Sequence, residues 1–427
     1  MSANKLEVTM PKLSDSMEEA TILRWLKRPG EPVRKGVPLV EVETDKATMV
    51  YEAEFNGMLD EIVVDEGGTV ALGAVIARAS SAAAEAPTRA AVETRRPVPA
   101  PERAVTGELE FREAIRQALD EELERDESVI LFGEDVALAG GVFAVTPGLY
   151  EKYGAERVFD TPISELAMTG AAFGAAVTGK RPVLEIMFGD FLALSMDSLI
   201  NQATKHWFLT EERRSVPMVI RSVVGAGGRF GAIHSQMPIS WLMGVTGLKI
   251  VAPSNPADAK GLLKAAIRDD NPVVFFEHKR LYSNKGPVGA EVEVVPLGRA
   301  AVVRAGGDVT LVSAMKGVHD CLAAADALAE EDVSAEVVDL RTLRPLDADT
   351  ILASLAKTNR IAIVEEGPIT GGWAGEVLAL VAEAGLSDID DAWRIATDNT
   401  PIPYSPPLED AFLPGPSRIA AEVLARR

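Results

Sequence analysis

Two different hydrophobic patterns run along this chain. Residues 1–79 alternate apolar and polar positions in short runs, LEVTM, ATILRWL, LVEVET, TMVYEAE, MLDEIVV and VIARA, punctuated by Pro29-Gly30 and Gly67-Gly68. Period-two alternation between turn signals predicts strands, so this segment is expected to be a small all-β module of the sandwich or barrel kind. Beyond residue 107 the period changes. In GELEFREAIRQALDEELERDE the apolar Phe111, Ile115, Ala118, Leu119 and Leu123 recur at helical spacing, and SVILFGEDV then reads as a buried strand. Further on, DVTLVSA, VHDCLAAADALAEE, SAEVVDL, DADTILASLAKT and RIAIVEEG alternate strand and helix. That order predicts parallel α/β sheets with helical crossovers. The weakly patterned YSNKGPVGAEVEVVPLG lies between two such halves, which places a domain boundary at 290/291.

Composition separates the two patterns. Residues 80–106, SSAAAEAPTRAAVETRRPVPAPERAVT, hold no aromatic and almost no large aliphatic side chain. Such a stretch cannot bury enough apolar area to offset its ordering entropy, so it is expected to be a flexible linker. At about 3.1 Å per residue where polyproline-like, it could reach on the order of 60–80 Å. The whole chain has 427 residues and a net charge of −21, which disfavours binding nucleic acid through its phosphates. The single cysteine, Cys321, excludes an intrachain disulfide and a four-cysteine zinc site. No apolar run is long enough to span a membrane. With no leader-like segment either, the expected location is the cytoplasm of a bacterium.

Several residues stand out as candidate chemistry. Lys46 lies in ETDKA between two strand-like runs, a position that also suits an ordinary solvated turn lysine. Glu165 follows Thr161-Pro162-Ile163-Ser164 and opens a small-residue helical run, LAMTGAAFGAAVTG, where helix capping alone would account for it. Phe191, with Met187 nearby, sits in the apolar PVLEIMFGDFLAL and reads equally as a core aromatic. Among four histidines, His234 is the one beside a Gly-rich stretch, VVGAGGRFGAI. His206 and His319 lie in helical patterns, and His278 in FFEHKRLY stays ambiguous. A histidine beside such a loop can trade protons near neutral pH. Asp269 and Asn271 occupy the turn RDDNP, which turn chemistry by itself explains.

Taken together, these motifs resemble two known families. Val8-Thr9-Met10-Pro11-Lys12-Leu13-Ser14-Asp15-Ser16-Met17, Asp45-Lys46-Ala47 and Gly57 resemble lipoyl domains, the swinging-arm carriers of 2-oxo acid dehydrogenase complexes. Gly133-Glu134-Asp135-Val136, Phe159 to Glu165, Phe188-Gly189-Asp190-Phe191, His234-Ser235-Gln236, Ala265 to Pro272 and Arg341 to Asp347 are similar to the beta subunit of the E1 component of 2-oxo acid and acetoin dehydrogenase complexes. The resemblance implies an α/β fold. Its parts would be a transketolase-like pyrimidine-binding domain over 107–290, a transketolase C-terminal α/β domain over 291–427, and a small all-β lipoyl (barrel-sandwich) domain over 1–79. It also implies that Lys46 is lipoylated and that Glu165 hydrogen-bonds N1′ of the aminopyrimidine of thiamine diphosphate. Phe191, Met187 and Ile163 would lie against that ring. His234 would move protons when lipoamide is reductively acylated. A potassium ion would be held by Asp269 and Asn271 with backbone oxygens of Ala266, Ile267 and Met218.

The chain shows no Gly-Asp-Gly followed by an Asn run, the pattern that holds magnesium and diphosphate in thiamine enzymes, and no dinucleotide fingerprint. By the resemblance, the pyrimidine half of the cofactor site is here, and an alpha subunit supplies the diphosphate half and Mg²⁺ in an α2β2 tetramer. A dihydrolipoyl acyltransferase core would be a further partner. The expected reaction is oxidative decarboxylation of a small 2-oxo acid, with pyruvate ahead of acetoin or a branched-chain 2-oxo acid. A carrier or scaffold role without catalysis is the alternative of another class, and a transketolase-type transferase a third.

Overall fold

The computed structural model describes residues 4–11, 17, 19–33, 35–43, 48–81, 107–289, 294–385 and 389–427. Lys46 and all but the first two residues of the expected linker lie outside them. The chain divides into two compact units, Met1–Glu93 and Thr94–Arg427.

In the first unit, alternation becomes two four-stranded antiparallel sheets. One runs in the order Asn4–Thr9, Val75–Ser81, Gly57–Ile62, Pro32–Val33, and the other Thr48–Glu52, Pro38–Glu43, Glu19–Trp25, Thr69–Ala71. Each strand sends alternate side chains inward, and Ile22, Leu39, Val42, Leu59 and Ile76 are fully buried between the sheets. The strands on either side of Lys46 pair with each other, Glu43 opposite Thr48. Two strands, Pro32–Val33 and Thr69–Ala71, are too short to show any period in the sequence. The last strand runs to Ser81, with Ser81 opposite both Asn4 and Gly57. It therefore takes two residues from the stretch that composition assigned to the linker.

The second unit is built on a seven-stranded sheet. Its order is Val158–Asp160, Val129–Gly133, Arg181–Ile186, Val219–Val224, Val273–His278, Lys249–Val251, Thr342–Arg344. The first six strands are parallel and the last is antiparallel. Val129–Gly133, Val219–Val224 and Val273–His278 are buried at every position, as strands covered on both faces are, and the last two carry the buried polar Arg221, Ser222, Glu277 and His278 among apolar residues. Helix Phe111–Arg125 buries the residues its spacing marked, Phe111, Ile115, Ala118, Leu119 and Leu123. A five-stranded sheet follows in the order Ala301–Arg304, Ala335–Asp339, Val309–Ser313, Arg360–Pro368, Asp391–Thr397, all parallel except its first edge.

The sequence read two places differently. Gly107–Glu110, taken as the start of a helix, is a strand, and it pairs antiparallel with Lys285–Val288 from the stretch taken as patternless. Both strands are four residues long, too short for a period to show. The edge strand Thr342–Arg344 comes from the second half of the unit, yet it hydrogen-bonds to Lys249–Val251 of the first. The two halves therefore share one sheet and one continuous core. Among the described residues no helix is long and apolar enough to cross a membrane.

Candidate active site

The site collects where parallel strands end. Gly133, Asp160 and Glu185 stand side by side in register near the carboxyl ends of adjacent strands, the usual place for a ligand in an open α/β sheet. The turn after Asp160 leads into helix Glu165–Val177. Ser164 is its N-cap but makes no side-chain capping bond, so Glu165 is not half of a capping box. Glu165 is 7% exposed. Among the described residues its carboxylate has no hydrogen bond or ion pair. Its backbone carbonyl accepts a bond from the Ser195 hydroxyl at 3.3 Å, and Ser195 in turn accepts one from Thr169 at 2.8 Å. These bonds fix the start of the Glu165 helix against helix Leu192–Met196.

A second acid sits close by. Glu134, just past its strand, is buried, and its Oε1 has no partner. Burial and then the charge of Glu165 push its carboxyl above the ordinary carboxylate value. Two buried carboxyls close enough to feel each other's charge, neither paired with a cation among the described residues, are costly to hold there. They suit a ligand that brings hydrogen-bond donors.

Aromatic rings form the next wall. Phe188 and Phe191 meet edge to face at 5.8 Å between centroids, and His234 stands edge-on to both, at 4.8 and 5.5 Å. Phe191 starts the helix that carries Ser195, so the ring cluster and Glu165 are linked through one short element. Gly189 between them has to be glycine, because a Cβ there would come within 2.5 Å of Val224 Cγ1. Asp190 accepts bonds from the backbone and side-chain nitrogens of Gln236, at 3.2 and 2.9 Å, while its Oδ2 is buried without a partner. Met187 is half-buried, and Ile163 is largely exposed at 82%.

Sequence reasoning did not single out Lys279. Its ammonium lies over the Phe188 ring at 5.4 Å and the Phe230 ring at 5.1 Å, and donates to the His234 carbonyl. Burial pulls its pKa down to about 8, against the attraction of Asp190, Glu366 and Glu409. The neighbouring His278 is buried and bonds Glu366 through Nε2 at 2.8 Å. The only sequence signal was HKRLY, in which two cations and a tyrosine follow the His278 that ends a buried strand.

The turn at Asp269 and Asn271 lies elsewhere on the sheet. The Asn271 backbone and side-chain nitrogens donate to Asp269 Oδ1 at 2.9 and 3.1 Å, and Lys249 pairs with the same carboxylate. Arg181 donates to the carbonyls of Ile267 and Asp269, each at 3.0 Å. The Ala266 carbonyl accepts from Asp269 N, and that of Met218 from Val273 N. The five residues named from the sequence thus surround one turn. The carbonyls of Ala266, Ile267 and Met218 each accept at least one bond, and a carbonyl oxygen has two lone pairs.

Three comparisons relate the chain to known proteins. Residues 107–285 match the family Transketolase, pyrimidine binding domain, residues 298–419 match Transketolase, C-terminal domain, and residues 6–78 match Biotin-requiring enzyme, the biotin/lipoyl carrier family. A split-gene transketolase, an inactive beta4 tetramer, shares the fold with a TM-score of 0.63 at 21% identity, over 75% of this chain and 98% of that one. The fold is therefore of the transketolase type, preceded by a biotin/lipoyl-type domain.

Among curated relatives, the pyruvate dehydrogenase E1 component subunit beta of Rhizobium meliloti is 36% identical over 98% of this chain and 99% of its own length. The beta subunit of the acetoin:2,6-dichlorophenolindophenol oxidoreductase of Cupriavidus necator is 44% identical over 73% of this chain and 96% of its own. The 2-oxoisovalerate dehydrogenase subunit beta of Bacillus subtilis is 43% identical over 73% and 97%. The chain belongs to the E1 beta-subunit family of 2-oxo acid and acetoin dehydrogenases, with a lipoyl-type domain at its N-terminus.

Proposed function

We propose that this chain is the beta subunit of a thiamine diphosphate-dependent E1 that oxidatively decarboxylates a 2-oxo acid, pyruvate first, and passes the acyl group to a lipoyl arm. The observation that carries the reading is Glu165, a buried carboxylate without a partner among the described residues, tied through Ser195 to the helix that Phe191 of the Phe188–Phe191–His234 ring cluster starts. The residues fit an aminopyrimidine. Glu165 and Glu134 Oε1, unpartnered among the described residues, are acceptors awaiting donors, and Phe191 offers a flat apolar face, to which the resemblance adds Met187 and Ile163. When bound, the cofactor supplies the electron sink for breaking the carbon–carboxylate bond. Glu165 holds the ring nitrogen and exchanges a proton with it. The apolar wall keeps water away, and His234 moves a proton when a lipoyl sulfur takes the acyl group.

Pyruvate is favoured over acetoin and branched-chain substrates because the pyruvate-type relative matches end to end, including the lipoyl-type domain. An alpha subunit in an α2β2 tetramer would hold the diphosphate and Mg²⁺. Exposed Ile163, Leu166, Trp207, Phe208 and Leu209 offer apolar surface for such an assembly. The lipoyl group would be on Lys46, with residues 80–106 as its tether and a dihydrolipoyl acyltransferase core as a further partner. The working boundaries are 1–79, 107–290 and 291–427, and the setting is the bacterial cytoplasm. Asp269, Asn271 and the carbonyls of Ala266, Ile267 and Met218 would use their free lone pairs on a structural potassium ion.

The test is Glu165→Gln in the tetramer reconstituted with its alpha partner. Exchange of the thiazolium hydrogen with solvent should slow by about 10²–10⁴-fold. Parental exchange in the variant would refute the role of Glu165. Mass spectrometry of the native protein should find lipoate on Lys46, and unmodified lysine there would remove the carrier part of the reading.

A further inference from the structure

The Gly-rich segment that leads to His234 is held from outside its own half of the unit. Its backbone takes positive φ at alternate residues, Gly225 (+90°), Gly227 (+84°), Arg229 (+65°) and Gly231 (+73°). Alternating handedness of this kind turns successive N–H groups toward one side and forms a concavity for an anion. Two carboxylates from the far end of the chain fill it. Glu409, on helix Pro406–Phe412 and fully buried, accepts from Gly227 N at 2.8 Å, Arg229 N at 3.3 Å and Arg229 Nη1 at 2.7 Å. Glu366, at the end of strand Arg360–Pro368, accepts from Ala226 N and bonds His278. Burial opposes its charge, but His278 and the Ala226 N–H hold its carboxyl below the ordinary value. Arg229 also donates to the Pro406 carbonyl at 3.0 Å and to Asp410 at 2.8 Å.

The alternatives to a carboxylate in this concavity are poor. A Cβ on Gly225 would fall 2.2 Å from His278 Nε2, and one on Gly227 2.4 Å from Arg280 Cδ, so the segment packs close against His278 and Arg280 and both positions favour glycine. Its three N–H groups would be left without their acceptors if the acids were lost. His234 lies a few residues farther on, with its carbonyl taken by Lys279. One end of the segment is thus fixed by Lys279 and the other by Glu366 and Glu409.

We infer that Glu409 and Glu366 are positioning residues that set the place of His234, and so govern acyl transfer to the lipoyl arm separately from the chemistry at Glu165. The inference rests on the proposed function. Glu165 is anchored through Ser195 and Thr169, which share no bond with the 225–234 segment. A disturbance of that segment therefore reaches His234 directly, and the Glu165 side only at one remove, through the ring contact of His234 with Phe191.

The experiment compares two reactions of the assembled tetramer. One is substrate-dependent reduction of a dye acceptor, and the other is acylation of free lipoamide. Glu409→Gln should lower lipoamide acylation by about tenfold or more relative to dye reduction, since small misplacements at a reacting centre cost that much. Asp410→Asn removes only a surface contact of the same Arg229 and should keep the parental ratio. Amide hydrogen exchange across 225–234 should accelerate in Glu409→Gln. An unchanged ratio in Glu409→Gln, or equal loss of both reactions, overturns the inference. If that variant does not assemble, Glu366→Gln is read by the same ratio through Ala226. If the parental tetramer performs neither reaction with any 2-oxo acid tried, the proposed function has failed, and the exchange comparison alone then decides the inference: unchanged exchange overturns it.

Discussion

Two acidic clusters lie side by side at the ends of these strands, and they are solved in opposite ways. In one, Arg221 is fully buried and bonds Glu277 twice, at 2.7 and 2.9 Å, and Glu185 once, at 2.6 Å, while the Tyr282 hydroxyl donates to Glu277 at 2.8 Å. Burial works against the charge of Arg221, and the two carboxylates facing it more than offset that. In the other, Glu165 raises the carboxyl of Glu134 by its charge, and among the described residues neither acid has a cation and Glu134 Oε1 has no partner. The first cluster gives each acid a hydrogen-bond donor, although burial still pushes the Glu185 carboxyl up, and so holds structure. The second leaves its acceptors open, and that incompleteness marks where a ligand belongs.

The comparison can be broken from either side. Glu165→Gln should cost the tetramer about 10²–10⁴-fold in dye-linked turnover while its thermal midpoint stays level or rises, because an unpaired buried charge has been removed. A large fall in the midpoint would mean Glu165 is structural. Arg221→Met should do the reverse. It strands two buried carboxylates and should lower stability by about 3–5 kcal/mol in denaturant unfolding. A variant as stable as the parent would show the closed cluster to be dispensable.

A third acid sharpens the contrast with pH. Glu365 accepts from Ala374 N at 3.0 Å, has one oxygen without a partner, and is pushed by burial to about 7. An unfolded glutamate titrates near about 4.3, so the folded state keeps a proton that the unfolded chain gives up. That contribution is full below about 4.3 and is lost as pH rises through about 7. Glu365→Gln should therefore gain on the parent by about 1–3 kcal/mol between pH 5 and pH 8, and parallel stability curves would refute the shift. The smallest effect belongs to Phe191→Ala, which removes one face of stacking worth about 0.5–1.5 kcal/mol. It should weaken cofactor binding by about tenfold or less, and calorimetric titration would measure it.

What the sequence disclosed follows from range. Helix Phe111–Arg125 and the β unit declared themselves through periods of a few residues, and the covered strand Val129–Gly133 as a short apolar run. Glu165, Phe191 and His234 stood in short motifs, and the structure brings Phe191 and His234 into one ring cluster and ties it to the Glu165 helix. Arg221 gave no sign, because its partners lie on two other strands, at 185 and 277. The hold of Lys279 on the His234 carbonyl joins residues 45 positions apart, and Glu409 reaches back 182 positions to Gly227. No local pattern encodes such pairs. The strand Lys285–Val288 escaped for a different reason, since its partner, Gly107–Glu110, was itself too short to be read.

The edge strand Thr342–Arg344 carries a consequence for how this polypeptide can be cut. A piece ending at the apparent seam near residue 290 would leave Lys249–Val251 with a bare row of amides and carbonyls, ready to recruit any extended chain. The halves are thus not interchangeable cassettes. A chimera that joins one relative's front to another's back has to carry residues 342–344 along with the front, or supply a matching strand, to stay monodisperse.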